Sequence, residues 1–267
     1  MTASPITGAA LITGGAKRIG AAITRALAAA GHPVVIHYRS AGGEADELAA
    51  TITGQGGRAF TLAADLADPA MVETLIARAA ALAGPIDILI NNASHFSFDR
   101  PATVTAESLA AHFAPNLAAP VLLARDMAAR IAESHGVAGA HGEPGRRGLI
   151  VNILDQKLAN LNPDFFAYTI AKAGLAAATE MLAMALAPNI RVCGVSPGLT
   201  LIGAKQSAEN FVRGQQATPL RHGSSAGDIA RAVMFLVTTP SITGINLLVD
   251  AGEHMMHRQR DVSFSVE

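Results

Sequence analysis

The 267-residue chain has no tryptophan, two tyrosines and one cysteine, and only 15% of its residues are charged. A lone cysteine, Cys193, excludes an internal disulfide and fits a reducing, cytoplasmic setting. The formal net charge of −1 leaves no electrostatic footprint for nucleic acid or an anionic membrane surface, so neither is expected as a partner. No stretch of about 18 uncharged apolar residues is present to span a bilayer. The opening "MTASPITGAALITGG" lacks the basic and long apolar regions of a secretion signal. Of nine histidines only His254 and His257 are closely spaced, and no carboxylate–histidine cluster accompanies them, so no metal site is expected. What is abundant is apolar residues, half of the total, enough to bury a large core.

Those apolar residues come in two alternating kinds of segment. Short continuous runs at 9–13, 33–38, 59–64, 86–91, 149–154, 190–195 and 245–250 read as strands covered on both faces. Between them, alanine-rich stretches near 18–30, 43–54, 69–83, 106–133, 166–187 and 226–238 have helical period, and Asp68-Pro69 is a helix-start signal. Strand–helix–strand repetition implies right-handed crossovers and a parallel sheet. With no linker or composition break, residues 1–267 read as one α/β domain, a doubly wound Rossmann-type sheet of about seven strands with helices on both faces. The stretch 133–148 reads as a surface loop, and the tail after Gly252 has no clear period.

The segment "TGGAKRIG" (13–20) joins the first strand to the first helix, the context a phosphate-binding turn requires. Gly14 and Gly20 allow a tight turn, and the N–H groups around Lys17, Arg18 and Ile19 open the helix toward a pyrophosphate. An ordinary strand-to-helix turn would look similar. The second strand ends in His37-Tyr38-Arg39-Ser40, without the acidic residue that holds a free ribose 2′-hydroxyl. Lys17, Arg18 and Arg39 suit a 2′-phosphate instead, which favours NADPH over NADH, although a solvated basic surface at a strand end would read the same way. Asp65-Leu66 follows the third strand, where Asp65 either accepts a hydrogen bond from adenine or leads into the next helix. Asn91, Asn92, Ala93 and Ser94 leave the fourth strand at the edge where such sheets bind ligands.

With Asn116, "YTIAK" (168–172) and Pro197-Gly198 added in this order, the chain resembles the short-chain dehydrogenase/reductase family over nearly its whole length. The resemblance implies a nicotinamide cofactor, a catalytic Asn116, Tyr168 and Lys172, and commonly a homotetramer. The chain departs from the general pattern at three places. Most members carry serine where "NILDQ" has Asp155, glycine where Arg18 stands, and "NNAG" where this chain reads "NNASHF". These departures are similar to the pteridine reductase and dihydromonapterin reductase branch. That likeness implies a small pterin-like substrate held by Arg18, Ser94, Phe96, Asp155 and Tyr168, with Arg18 also on cofactor phosphate.

The residues support that chemistry. Tyr168 and Lys172 lie one helical turn apart, and an ammonium beside a phenol is expected to lower its pKa from about 10 toward the working range. A carboxylate facing a ketone would repel the developing alkoxide, so Asp155 suits protonation of a C=N nitrogen, provided its own pKa is raised or it acts through Tyr168. Capping a turn after strand five is the plainer role for it. Phe96 could stack a flat heterocycle against nicotinamide, or simply pack in the core. Asn116 is expected to hold a backbone kink and a relay water, as the family pattern implies. Reduction of another carbonyl or imine on the same scaffold, or nucleotide binding without catalysis, are the competing readings.

Overall fold

In the computed structural model, which describes residues 6–138, 147–202 and 207–265, seven parallel strands form one sheet in the order β3-β2-β1-β4-β5-β6-β7. They are β1 Ala9–Ile12, β2 Val34–Tyr38, β3 Ala59–Ala63, β4 Ile86–Asn91, β5 Gly148–Ile153, β6 Ile190–Pro197 and β7 Asn246–Val249. Alternate strand side chains face opposite layers, which is why the runs are apolar without interruption. Leu11, Val35, Leu89, Ile150 and Val192 point into one core, while Ile12, Ile36, Ile90, Val151 and Cys193 point into the other. Helices α1 (Arg18–Ala29), α2 (Gly42–Gly54) and α8 (Ala226–Thr238) cover the second face. The first face is covered by α3 (Pro69–Ala83), α5 (Ala119–Ala138) and α6 (Phe166–Leu186). Asp68 caps α3, its side chain accepting from Ala70 N ahead of the proline at the first helical position.

The chain winds outward from β1 to β3, then crosses back to β4 and continues to β7. Strand order therefore reverses between β1 and β4, and their carboxyl ends open a crevice at the reversal.

Three expectations need correction. The single helix expected over 106–133 is two helices, α4 (Ala106–Phe113) and α5, joined by a π-helical turn at Ala114–Ala118. Pro115 lies in that turn and has no N–H to continue the α ladder, so the backbone widens there. The expected loop at 133–148 is partly helical, since α5 runs to Ala138, and partly strand, since β5 starts at Gly148; residues 139–146 lie outside the described residues. The tail is not shapeless. A 3-10 turn at Glu253–Met255 and a short helix α9 (Val262–Ser265) follow β7; a further helix, α7 (Ala208–Gln216), lies between β6 and α8. Helix α6 is long and apolar enough to cross a membrane by length and composition. Here it packs along β6, with Tyr168, Lys172 and Thr179 buried in the protein.

Candidate active site

The crevice is a cleft of about 660 Å³. It gathers residues from ten separate segments, and every cofactor- and substrate-site residue expected from the sequence lines it, from Gly14, Lys17, Arg18, Ile19 and Gly20 through His37–Ser40, Asp65, Leu66, Asn92–Phe96, Asp155, Tyr168 and Lys172 to Pro197 and Gly198. Asn116 is the one catalytic candidate set behind the wall.

The glycine turn is held from beneath. Thr13 Oγ1 accepts the N–H groups of Asn92 and Ala93 at 2.9 and 3.0 Å, and Asn92 Nδ2 donates to the carbonyls of Thr13 and Gly14 at 2.9 and 3.0 Å. A Cβ on Gly20 would lie 2.2 Å from the Gly14 carbonyl oxygen, so only glycine lets the helix close on the turn. His37 is buried under it: its Nδ1 accepts from Gly14 N at 3.1 Å, which leaves Nε2–H to donate to the Ala64 carbonyl at 3.1 Å. Burial holds its pKa down at about 4, so the ring is a neutral clip tying the turn to the end of β3. Asn91, Asn152 and Thr179 form a buried chain alongside, Asn91 Nδ2 donating to Asn152 and Asn152 Nδ2 to Thr179.

Above the turn, α1 starts without a side-chain cap and with no acidic residue in its first turn. Its first N–H groups therefore face the cleft unneutralised, beside Lys17, Arg18 and Arg39, a donor set that fits a pyrophosphate and a further phosphate. Arg18 stands at φ +54, a conformation usually left to glycine. Its Nη2 reaches across the cleft to the Ile202 carbonyl at 3.2 Å, a bridge that a glycine could not make. Lys17 pairs with Glu44 of α2, and both side chains are about half exposed, so this is a weak surface pair. Asp65 uses Oδ1 to accept Ala67 N at 2.9 Å, fixing the approach to α3.

At the other end stand Asp155, Tyr168 and Lys172. Asp155 Oδ1 accepts Lys157 N at 2.9 Å, capping a 3-10 turn at Gln156–Ala159, and Oδ2 accepts the Tyr168 hydroxyl at 2.8 Å. Its capping role and its position against Tyr168 coexist on separate oxygens. Burial raises the Asp155 pKa, against the hydrogen bonds from Lys157 N and Tyr168; Asp261 raises it further. Tyr168 differs from expectation. Burial first, then the Asp155 carboxylate, hold its pKa well above the usual 10. Lys172 does not offset this, because Nζ lies 5.8 Å from the Tyr168 ring centroid and donates to the Ile153 carbonyl at 2.6 Å. Burial lowers the lysine to about 8. At neutral pH the pair therefore holds a proton between Tyr168 Oη and Asp155 Oδ2 rather than a phenolate.

Asn116 sits in the π turn, fully buried. Its Oδ1 accepts His95 N at 2.8 Å and its Nδ2 donates to the His95 carbonyl at 2.9 Å. Both amide groups thus hold the loop that carries Ser94 and Phe96, so that Asn116 positions that loop in this geometry. Phe96 stacks on Phe165 at 4.3 Å and meets the Tyr168 ring edge-on at 4.7 Å, yet it remains 53% exposed, with its outer part open to the cleft.

Several lining residues were not anticipated, among them Gln156, Glu253, Asp261 and Val262, and Lys157 lines the cleft with them. Lys157 is buried, its Nζ donating to Asn162 Oδ1 at 2.6 Å and Asp261 Oδ2 at 2.9 Å. Asp164 accepts Arg260 Nε at 2.7 Å and Asp261 N at 2.9 Å. These ties fold the tail over the cleft. The one signal available in advance was position, since Glu253 lies just beyond the carboxyl end of β7, the edge on which such sheets bind ligands. Among the described residues, no group of three or more His, Cys, Asp or Glu side chains is placed to hold a metal ion.

The Enoyl-(Acyl carrier protein) reductase family matches residues 14–254, from the glycine turn to the tail. The chain belongs to the short-chain dehydrogenase/reductase family. It is an oxidoreductase of that family. It is 32% identical to pteridine reductase 1 of Leishmania tarentolae, over 94% of this chain and 98% of that protein. It is 30% identical to a 3-oxoacyl-[acyl-carrier-protein] reductase of Synechocystis, over 91% and 95% of the two chains. Among solved structures it resembles FolM alternative dihydrofolate reductase 1 of Brucella suis in complex with NADP, at 39% identity and a TM-score of 0.86, covering 94% of this chain and 96% of that one. Overall identity barely separates the pteridine from the oxoacyl relative. Substrate class has to be read from the site.

Proposed function

We propose that this protein is an NADPH-dependent reductase of a dihydropterin-like substrate, delivering hydride to a C=N bond while Tyr168 and Asp155 supply the proton to nitrogen. The observation that carries this reading is the 2.8 Å hydrogen bond from the Tyr168 hydroxyl to Asp155. A carboxylate there opposes the alkoxide of ketone reduction, whereas a protonated carboxyl serves a ring nitrogen. The FolM and pteridine reductase relatives support the same substrate class, and the NADP in the FolM structure supports the cofactor.

When bound, the nicotinamide cofactor supplies the hydride. The chain's own residues do the rest. Uncapped α1 and Arg18 would hold the pyrophosphate, and Arg39, which follows the end of β2, would hold a 2′-phosphate. The open part of Phe96 would cover a flat ring, and Ser94, an exposed hydroxyl on the same loop, would hydrogen-bond it.

The test is loss of NADPH absorbance with a 7,8-dihydropterin, beside simple ketones and with NADH in parallel. The expected result is turnover on the dihydropterin, with NADPH favoured over NADH by at least about tenfold. Turnover on ketones alone would refute the pterin assignment. We further infer that four chains associate. Ile170, Met181 and Met184 lie along the outer side of α6, the last two 59% and 74% exposed, an apolar stripe suited to burial between subunits. Light scattering should give four times the mass of one chain, and a monomer would remove the idea.

A further inference from the structure

One carboxyl in the cleft has no part in the reaction above. Glu253, in the 3-10 turn after β7, is 2% exposed. Its Oε2 accepts Leu199 N at 3.0 Å, and among the described residues no other hydrogen bond reaches the carboxyl, although the residue lines the same cleft as Asp155 and Tyr168. The backbone is arranged to admit it. A Cβ on Gly198 would lie 2.9 Å from Oε2, and Gly252 enters the turn at φ +84. A buried carboxyl that accepts a single hydrogen bond is costly unless a ligand completes it.

We propose that Glu253 is a substrate-recognition residue whose free oxygen, Oε1, accepts a hydrogen bond from an N–H on the amino-pyrimidine edge of the heterocycle. This rests on the dihydropterin reading above. It divides the cleft chemically, with the Asp155–Tyr168 pair serving the nitrogen that is reduced and Glu253 reading a part of the substrate that does not react. A ketone without N–H groups would gain nothing from it.

The charges facing Glu253 set how this contact responds to pH. Asp155, from the end of β5, and Arg258 and Asp261, from the tail, act on it; Lys157, Tyr168 and Lys172 line the same cleft. Burial first, then the Asp155 and Asp261 carboxylates, raise Glu253 to about 7, against the Leu199 N–H and Arg258. A donated N–H favours the ionised carboxylate, so binding expels a proton and strengthens as pH rises through that value.

Steady-state kinetics on a 7,8-dihydropterin across pH test this, with wild type beside Glu253→Gln. The glutamine Oε1 keeps the Leu199 bond but turns an amide donor toward the substrate. In wild type, KM should fall about tenfold between roughly pH 6 and 8. In Glu253→Gln, KM should rise about tenfold to hundredfold and lose that slope, with kcat within about threefold. NADPH affinity, read by fluorescence without substrate, should be unchanged. Unchanged KM and slope in the variant would overturn the assignment, as would a weakened NADPH affinity, which would give Oε1 to the cofactor. If the variant fails to fold, a flat wild-type KM profile overturns it and a sloped one supports it. Absence of any dihydropterin turnover by wild type would overturn the pterin reading together with this inference, an outcome distinct from turnover that ignores Glu253.

Discussion

Replacing Tyr168 with phenylalanine should lower kcat on a dihydropterin by about 10³-fold while leaving NADPH affinity within about twofold. The hydroxyl of this tyrosine donates to Asp155 Oδ2 at 2.8 Å. Its ring packs edge-on against Phe96 at 4.7 Å, and a phenylalanine keeps that contact. The substitution therefore removes a proton path and little else. Because burial and Asp155 hold the phenol well above its usual pKa, the tyrosine stays protonated across the neutral range. It acts as a carrier between Asp155 and the substrate, not as a phenolate base. Single-turnover measurement of NADPH oxidation separates this from product release. A kcat near wild type would show that Asp155 reaches the substrate nitrogen without Tyr168, and would remove the tyrosine from the proton path. A protein that only binds nucleotide would lose nothing, because it has no turnover to lose.

The sheet was legible because a parallel strand buried on both faces must be apolar throughout. Runs such as "PVVIHY" and "IDILIN" announce themselves, and the boundaries read from them lie close to those of β2 and β4. The cleft was legible for another reason. Its residues cluster just beyond strand ends, so locating the strands locates the site. What the sequence hid was contact across long separations. Pro115 is a local sign that the ladder breaks, but it does not say that the break takes the form of a π turn; the inward Asn116 becomes intelligible only once it grips His95 from 21 residues away. The tail carries no period because its order comes from distant partners. Asp261 is held by Lys157, 104 residues earlier in the chain, and Phe264 meets the Phe98 ring at 5.1 Å. A similar limit applied to Tyr168. Spacing placed an ammonium one turn away, but direction decides its effect, and Lys172 is turned to the Ile153 carbonyl.

Asp155→Asn tests the other half of the pair, and here the effects on rate and on stability should have opposite signs. Asparagine is nearly isosteric, so its Oδ1 can still accept Lys157 N and keep the 3-10 turn capped. It cannot deliver a proton, and kcat on a dihydropterin should fall about 10²-fold to 10³-fold. The pH profile should change with it. The Asp155 pKa is raised in the folded protein, so the acid form persists above the ordinary carboxylate range and is lost as pH rises through the raised value. Wild-type kcat should decline over that limb, and the asparagine variant should lack it. For stability, a carboxyl whose pKa is raised on folding contributes most below its unfolded value, and that contribution is lost as pH rises through the folded one. Above that raised value the wild type holds an unfavourable buried charge that asparagine does not carry, and there the variant should melt no lower than wild type. A lower melting point together with an unchanged pH limb would reduce Asp155 to its capping role. Asp155→Ser carries the same logic to substrate choice. By removing the charge that opposes an alkoxide, it should raise ketone turnover at least about tenfold while dihydropterin turnover falls. If ketone turnover does not rise, the carboxylate is not what keeps the enzyme from carbonyl substrates.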